Sequence, residues 1–299
     1  MADPLEDVVL RAAQWGNLGG LMVAAGAVVF LLVVWNRYGS FQRPESVEAS
    51  FIHRLRRTVI ASWAVAVLAS IPLLIWGTSL WAEVTRLALL VIGGMALFAG
   101  WRRGGSLGAI ALPALLALLV SAALSGHARS SSLPLPNFVV ALVHVTAAAA
   151  WVGGLFMLVA AAFPAVRGQT QDDRARLLAP VVARFSDLAV WSVFAVVASG
   201  TYSAWMAIGG MRALTDSTYG LVFLAKMGAF LPVLVLGGVN NRWTKPRLLR
   251  AAREETSGSR ALVILRRLVA LEVTLVALVL AFTVFLLQLS PPTSQPGAL

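Results

Sequence analysis

The sequence predicts an all-α membrane protein with eight transmembrane helices. Of its 299 residues, 59% are hydrophobic and 12% are charged, about half the charged share of an ordinary soluble domain. A soluble fold needs more polar surface than this composition supplies. The apolar runs are long and continuous, whereas the strands of a transmembrane barrel would alternate apolar and polar residues. Helical spans are therefore the expected architecture.

Eight runs approach the ~20 apolar residues that a helix needs to cross a bilayer. They cover roughly residues 15–35, 58–76, 82–100, 106–125, 138–163, 186–207, 220–240 and 267–288. Pro72, Pro113 and Pro232 fall inside these runs, which helices in a bilayer tolerate better than helices in water. Each run is interpreted as one span.

Basic residues indicate how the spans are oriented. Most of the 24 Lys and Arg residues lie in alternate connections, at 36–57, 101–105, 164–185 and 241–267. The opposite side holds only Arg11, Arg129 and Arg212. Basic loops face the cytoplasm, so both termini are predicted to lie outside. The same loops account for the net charge of +11, and no nucleic-acid partner is expected.

The eight spans divide into two halves of four. The predicted organisation is an external tail at 1–14, a first half at 15–125, a second half at 126–290 and an external tail at 291–299. Short matches between the halves, such as Trp63–Ser70 with Trp191–Ser199, are those expected of two parallel four-helix repeats. Chance similarity in Gly/Ala/Val-rich sequence would produce the same matches, and both interpretations stay open.

Two histidines lie at a similar depth in the outer leaflet. His127 closes the fourth span, and His144 lies about six residues inside the fifth, which is ~9 Å deep at the helical rise. An ionisable group in a span is costly and by default indicates a site. The alternative is that His144 packs and bonds a carbonyl or hydroxyl group. His53 lies among cytoplasmic arginines and is interpreted as a solvated loop residue.

Methionines near these histidines favour copper as the metal ion. Met206, Met211 and Met227 also fall in the outer half or at the outer rim. Thioether and imidazole ligands without a Cys or a carboxylate favour copper(I) over zinc, and the chain has no Cys. The predicted metal site is therefore His127, His144 and these three methionines. For any single methionine, simple packing is the competing interpretation.

Further polar and aromatic residues are expected at the same depth in the membrane as His144. Trp151 lies seven residues after His144 and is predicted to wall the same cavity. Lys226 lies at a similar depth in the seventh span. It is not proposed as a ligand because a cation repels a metal ion. Its predicted roles are to bond carbonyls, to pair with Glu83 or Asp216, or to orient an anionic ligand.

The inner half of the membrane has its own polar set, consisting of Arg184, Asp187, Asn240 and Glu272. Their depths predict that these side chains meet. They form either a network that fixes helix ends or the exit of a transport path. Asp187 and Glu272 are the carboxylates near the inner spans, so they are the candidates for proton coupling.

These residues also carry a family resemblance. Ser125-Gly126-His127-Ala128 and the segment from His144 to Leu155 resemble the copper resistance protein D (CopD) family. So do Arg184-Phe185-Ser186, Ser199-Gly200, Thr218-Tyr219-Gly220 with Lys226, Asn240-Asn241-Arg242 and Glu272 with Pro291-Pro292. The resemblance extends over residues 125–292, and the first half matches only in its span pattern and basic loops.

The resemblance implies a multi-pass inner-membrane protein of copper homeostasis, not an enzyme, that moves copper inward. Its expected partners are membrane lipid and a separate periplasmic copper donor of the CopC type. The sequence has no Walker-type phosphate loop. Two other functions stay open. One is copper handling for assembly or sensing without flux. The other is a b-type haem protein with His127 and His144 as axial ligands.

Overall fold

The structure is a computed structural model and describes residues 4–36, 43–77, 80–102, 134–253 and 259–294. Every regular element in these ranges is helical. The helices are α1 (Pro4–Val29), α2 (Glu45–Trp76), α3 (Leu80–Arg102), α4 (Pro134–Met157), α5 (Gln171–Ile208), α6 (Met211–Asp216), α7 (Thr218–Val239), α8 (Lys245–Arg253) and α9 (Ser259–Gln288). α1, α4 and α7 run on into π-helical stretches at Phe30–Trp35, Leu158–Ala162 and Asn240–Thr244.

Six of these helical segments are long and apolar enough to cross a membrane. They are Pro4–Trp35, Glu45–Trp76, Leu135–Ala165, Gln171–Ile208, Thr218–Ala252 and Arg260–Gln288. The protein is therefore a multi-pass membrane protein, as the composition predicts. α3 coincides with the third predicted span, and the fourth, at 106–125, lies outside the described residues. The total of eight spans and the outward-facing termini stay predictions.

Several helices extend beyond the apolar runs that predicted them. α1 begins at Pro4, so it covers most of the predicted external tail at 1–14. α5 begins at Gln171, about four turns before its apolar run. Thr170 caps this start by accepting a hydrogen bond from the Asp173 amide at 3.2 Å. Gly209, at φ 74°, ends α5 in the left-handed conformation that glycine adopts without strain.

α1 packs tightly against both α2 and α4. A Cβ atom on Gly153 of α4 would lie 2.6 Å from Cα of Gly26 and 2.6 Å from the carbonyl oxygen of Met22. Small residues allow such close approach between membrane helices. Asn17 fixes α2, because its Nδ2 donates to the Ala66 carbonyl at 2.9 Å. Consequently α1 is a central helix that holds α4 in place.

One hydrophobic core joins the two predicted halves. It contains Phe30 and Phe51 from the first half and Leu155 and Phe185 from the second. Phe30 lies between the rings of Phe51 and Phe185, at 6.2 Å from each. The halves therefore share this core, and their boundary at residue 126 lies outside the described residues. The division into two repeats stays a prediction.

Candidate membrane-embedded histidine site

His144 of α4 is held by α5 through one ring nitrogen. Its Nδ1 lies 3.0 Å from Oγ of Ser199. The Ser199 hydroxyl has a single proton, which it donates to the Ala195 carbonyl at 2.5 Å. With that proton at Ala195, Oγ accepts from an Nδ1–H group of His144, and the backbone of Val196 is a further hydrogen-bond partner of the ring. This assigns the tautomer in which Nε2 keeps its lone pair, the form in which a neutral imidazole binds a metal ion.

The backbone of α5 approaches the imidazole closely next to this hydrogen bond. A Cβ atom on Gly200 would lie 3.1 Å from Cε1 of His144, which is closer than most carbon–carbon contacts. Glycine at this position therefore leaves the space that the imidazole fills. Ser199 supplies the hydrogen bond and Gly200 supplies the space, so the pair fixes both the position and the tautomer of His144.

Three residues of α4 point along one face at seven-residue spacing. Asn137, His144 and Trp151 are two helical turns apart from one another. Asn137 accepts a hydrogen bond from the Tyr202 hydroxyl of α5 at 2.9 Å. Trp151 is buried, and its ring meets Phe230 of α7 edge-on, with ring centroids 5.8 Å apart. The face with His144 is thus covered by α5 on one side and by α7 on the other.

Lys226 brings a positive charge to this face from α7. It lies one turn before Phe230 and is close enough to His144 for the two side chains to interact electrostatically. A cation beside the imidazole raises the cost of holding a metal ion there, unless an anionic ligand or counter-ion accompanies the metal. Tyr219 lies two turns before Lys226 on the same face of α7.

The expected acidic partners of Lys226 are engaged elsewhere. Glu83 pairs with Arg86 of its own helix at 2.8 Å. Asp216 accepts a hydrogen bond from the Thr215 hydroxyl at 2.8 Å. The i, i+3 spacing of Glu83 and Arg86 favours this local pairing. Lys226 therefore affects the site through its electrostatic interaction with His144.

The predicted sulfur ligands lie on three different helices. Met206 lies seven residues beyond Ser199 on α5, a rise of roughly 10 Å. Met211 begins α6 and is 76% exposed, and Met227 directly follows Lys226 on α7. His127 lies outside the described residues. Within those residues no three His, Asp or Glu side chains gather into a metal-binding group, so the five-residue ligand set stays a prediction.

The predicted inner set forms two separate contacts. Glu272 of α9 is buried and accepts a hydrogen bond from Nδ2 of Asn240. Asp187 of α5 is mostly exposed and pairs with Nζ of Lys245 at 2.7 Å. Arg184 lies almost one turn before Asp187 on the same helix. One carboxylate is therefore paired with a cation near water, and the other is paired with a neutral amide in the interior.

Comparison with known protein families matches the segment that contains most of these residues. The family model of copper resistance protein D (CopD) matches residues 179–286. This segment of the chain is therefore similar to CopD. Within it lie Ser199, Lys226, Asn240 and Glu272, whereas His144 precedes the matched range. The matched segment therefore supplies the groups that surround the imidazole, together with the inner pair.

A curated relative extends the comparison. The copper transport protein CutJ of Bacillus subtilis (strain 168) is 32% identical over 123 residues, or 41% of this chain and 22% of CutJ. The chain thus aligns with about a fifth of the length of that relative. No solved structure matches the chain significantly.

Some residues around the site were not predicted from the sequence. Ser199 entered only as part of a short family motif, although it is the hydrogen-bond partner of His144. Tyr202, Asn137 and Phe230 were not singled out at all. The seven-residue spacing of Asn137, His144 and Trp151 was a usable signal. By contrast, the partners in the segment similar to CopD depend on which helices are neighbours, and periodicity does not contain that information.

Proposed function

We propose that this chain is a membrane copper-handling protein that takes copper from the outer side and moves it toward the cytoplasm. The observation that carries this proposal is His144, whose Nδ1 is held by Ser199 and whose Nε2 keeps a lone pair within the membrane. The similarity to CopD and the name of the relative CutJ support copper as the substrate. A transporter, rather than an enzyme, is the class that fits.

Copper(I) is the proposed cargo, bound by His127 and His144 with Met206, Met211 and Met227 as softer ligands. Because the three methionines are spread over α5, α6 and α7, they are suited to passing copper between weak sites. Lys226 next to His144 favours copper that arrives with an anionic ligand. It also shortens the residence of a bare cation, and both effects suit transfer rather than storage.

The proposed path continues between the helices toward Glu272 and Asp187 at the inner side. Trp151 and Phe230 lie on it, below His144. The protein is proposed to lie in the inner membrane and to receive copper from a CopC-type periplasmic donor. Such a donor would deliver copper already bound to ligands, which lowers the cost of bringing it close to Lys226.

Reconstitution into vesicles tests this function directly. Proteoliposomes containing the purified protein are expected to accumulate copper(I) supplied outside under reducing conditions, and protein-free vesicles are not. Copper binding by the protein without accumulation would instead support an assembly or sensing role. A Soret band in the purified protein would support haem bound by the histidines, and would contradict the transport proposal.

The tautomer of His144 gives a second, more local prediction. Ser199→Ala removes the Oγ acceptor of the Nδ1 proton and leaves the Val196 backbone as a partner of the ring, so Nε2 is held less firmly as the metal-binding atom. We expect copper affinity to fall by about 10–100-fold, the usual effect of removing an outer-shell partner of a ligand histidine. Titration of the purified protein with copper(I) against a competing chelator measures this.

Ser62→Ala provides the matched control for Ser199→Ala. Ser62 makes the same type of hydrogen bond to its own helix, from its Oγ to the Thr58 carbonyl at 2.6 Å, but it lies on α2 and not on the helix that binds His144. It should leave copper affinity unchanged. Equal effects of the two substitutions would show that Ser199 acts through helix stability alone.

A further inference from the structure

A buried carboxyl–amide pair joins α7 to α9 at the inner end of the molecule. Glu272 is 3% exposed and Asn240 is 8% exposed. Nδ2 of Asn240 donates to Oε1 of Glu272. The amide oxygen Oδ1 of Asn240 is buried as well, and it has no hydrogen-bond partner among the described residues. Asn240 begins the π-helical stretch of α7, a backbone irregularity that is frequent at functional sites.

The protonation state of Glu272 decides whether this pair is satisfied. An ionised carboxylate only accepts hydrogen bonds, so it leaves the amide oxygen without a donor. It would also hold a full charge in the membrane against a single neutral N–H group, which is costly. A protonated carboxyl group has an O–H donor that Oδ1 of Asn240 can accept. The neutral acid and the amide then satisfy each other in a cyclic pair.

Charged groups on the surrounding elements have other partners or lie nearer the cytoplasm. Lys245 is paired with Asp187 at 2.7 Å, and Nη2 of Arg266 donates to the Phe163 carbonyl at 3.2 Å. α1 and α4 have no charged residue in their inner halves. The remaining charged residues on this side of α5, the π-helical stretch, α8 and α9 are Asp172, Asp173, Arg174, Arg176, Arg184, Arg242, Arg247, Arg250, Arg253, Arg260 and Arg267.

We propose that Glu272 is a proton-binding site, protonated in this conformation and paired with Asn240 as a carboxylic acid with an amide. Its O–H donates to Oδ1 while Nδ2 donates to Oε1. When the proton passes to water entering from the cytoplasm, the O–H···Oδ1 bond is lost and two oxygen acceptors face each other. The contact between α7 and α9 then loosens. The proton site does not depend on the proposed function. The use of this loosening to release copper does rest on it.

Infrared difference spectroscopy tests the proton site without copper. At neutral pH the wild-type protein is expected to show the C=O stretch of a protonated carboxylic acid. Glu272→Gln should remove this band, because glutamine has no acidic proton. Asp187→Asn should retain it, because Asp187 is paired with Lys245. Asn240→Leu should shift the band to the position of an acid without a hydrogen bond.

Stability measurements add a second readout. A Gln side chain reproduces the hydrogen bonds of the protonated acid, so Glu272→Gln is expected to fold and to keep its Tm. The wild-type Tm should fall as the pH rises from the range in which a carboxyl group of the unfolded chain ionises to the range in which Glu272 ionises in the folded protein, whereas Glu272→Gln should lack this fall. If Glu272→Gln fails to fold, or if it folds and its spectrum keeps the acid band of the wild type, the proposal is overturned. Copper uptake in vesicles is an independent result, so failure of either proposal is distinguishable from failure of the other.

Discussion

Replacement of His144 by alanine is expected to abolish copper uptake in proteoliposomes and to lower copper affinity by at least about 100-fold. Removing only the hydrogen-bond partner of a ligand histidine lowers metal affinity by about 10–100-fold, and here the ligand itself is removed. His144 is the described residue whose imidazole is fixed within the membrane by Ser199 and Gly200. No other histidine on the described helices occupies that interface.

Two variants separate loss of the ligand from loss of the fold. His53→Ala makes the same change at an exposed histidine of α2 and should leave uptake and affinity unchanged. His144→Gln keeps a polar group within reach of Ser199 but offers no imidazole nitrogen. It should fold like the wild type and still fail to transport. Normal uptake by His144→Gln would remove His144 from the copper site, whatever happens to His144→Ala.

The spans were predictable because each depends on a local run of apolar residues. The run at 138–163 predicted α4, and intramembrane His144 stood out because an ionisable group there is costly. α5, in contrast, begins about four turns earlier than its apolar run. Its first turns are held by Thr170 and by packing against the hydrophobic core, since Ala175 and Leu178 are buried there. Hydropathy does not report helix that extends beyond the bilayer.

The contacts between helices were less predictable, because apolar helices in lipid are similar on every face. Pairing with Glu83 or Asp216 was one of three roles predicted for Lys226, and the structure brings it near His144. Glu83 is taken by Arg86 on its own helix. The Glu272–Asn240 contact was expected from depth alone, and it forms. Asp187 is exposed and pairs instead with Lys245, the first residue of α8.

The crossing of α1 and α4 should be the most sensitive structural point of the molecule. Gly26→Ala and Gly153→Ala each place a methyl group against backbone, 2.5 Å from Cα of Gly153 in the first case and 2.6 Å from Cα of Gly26 in the second. Backbone does not move aside as a flexible side chain does, so the helices must separate. Overpacking of this kind costs about 1–3 kcal/mol, and the Tm in detergent should fall accordingly.

Gly19→Ala is the matched control, since it is the same substitution on α1 with nothing within 4 Å of the added Cβ. It should be neutral or stabilise the protein by up to about 1 kcal/mol, because alanine favours the helix over glycine. The crossing also positions α4, on which His144 lies two turns before Trp151. Gly153→Ala should therefore weaken copper binding as well, without touching a ligand. If Gly26→Ala and Gly153→Ala raised the Tm as Gly19→Ala does, α1 would not hold α4, and the position of His144 would need another support.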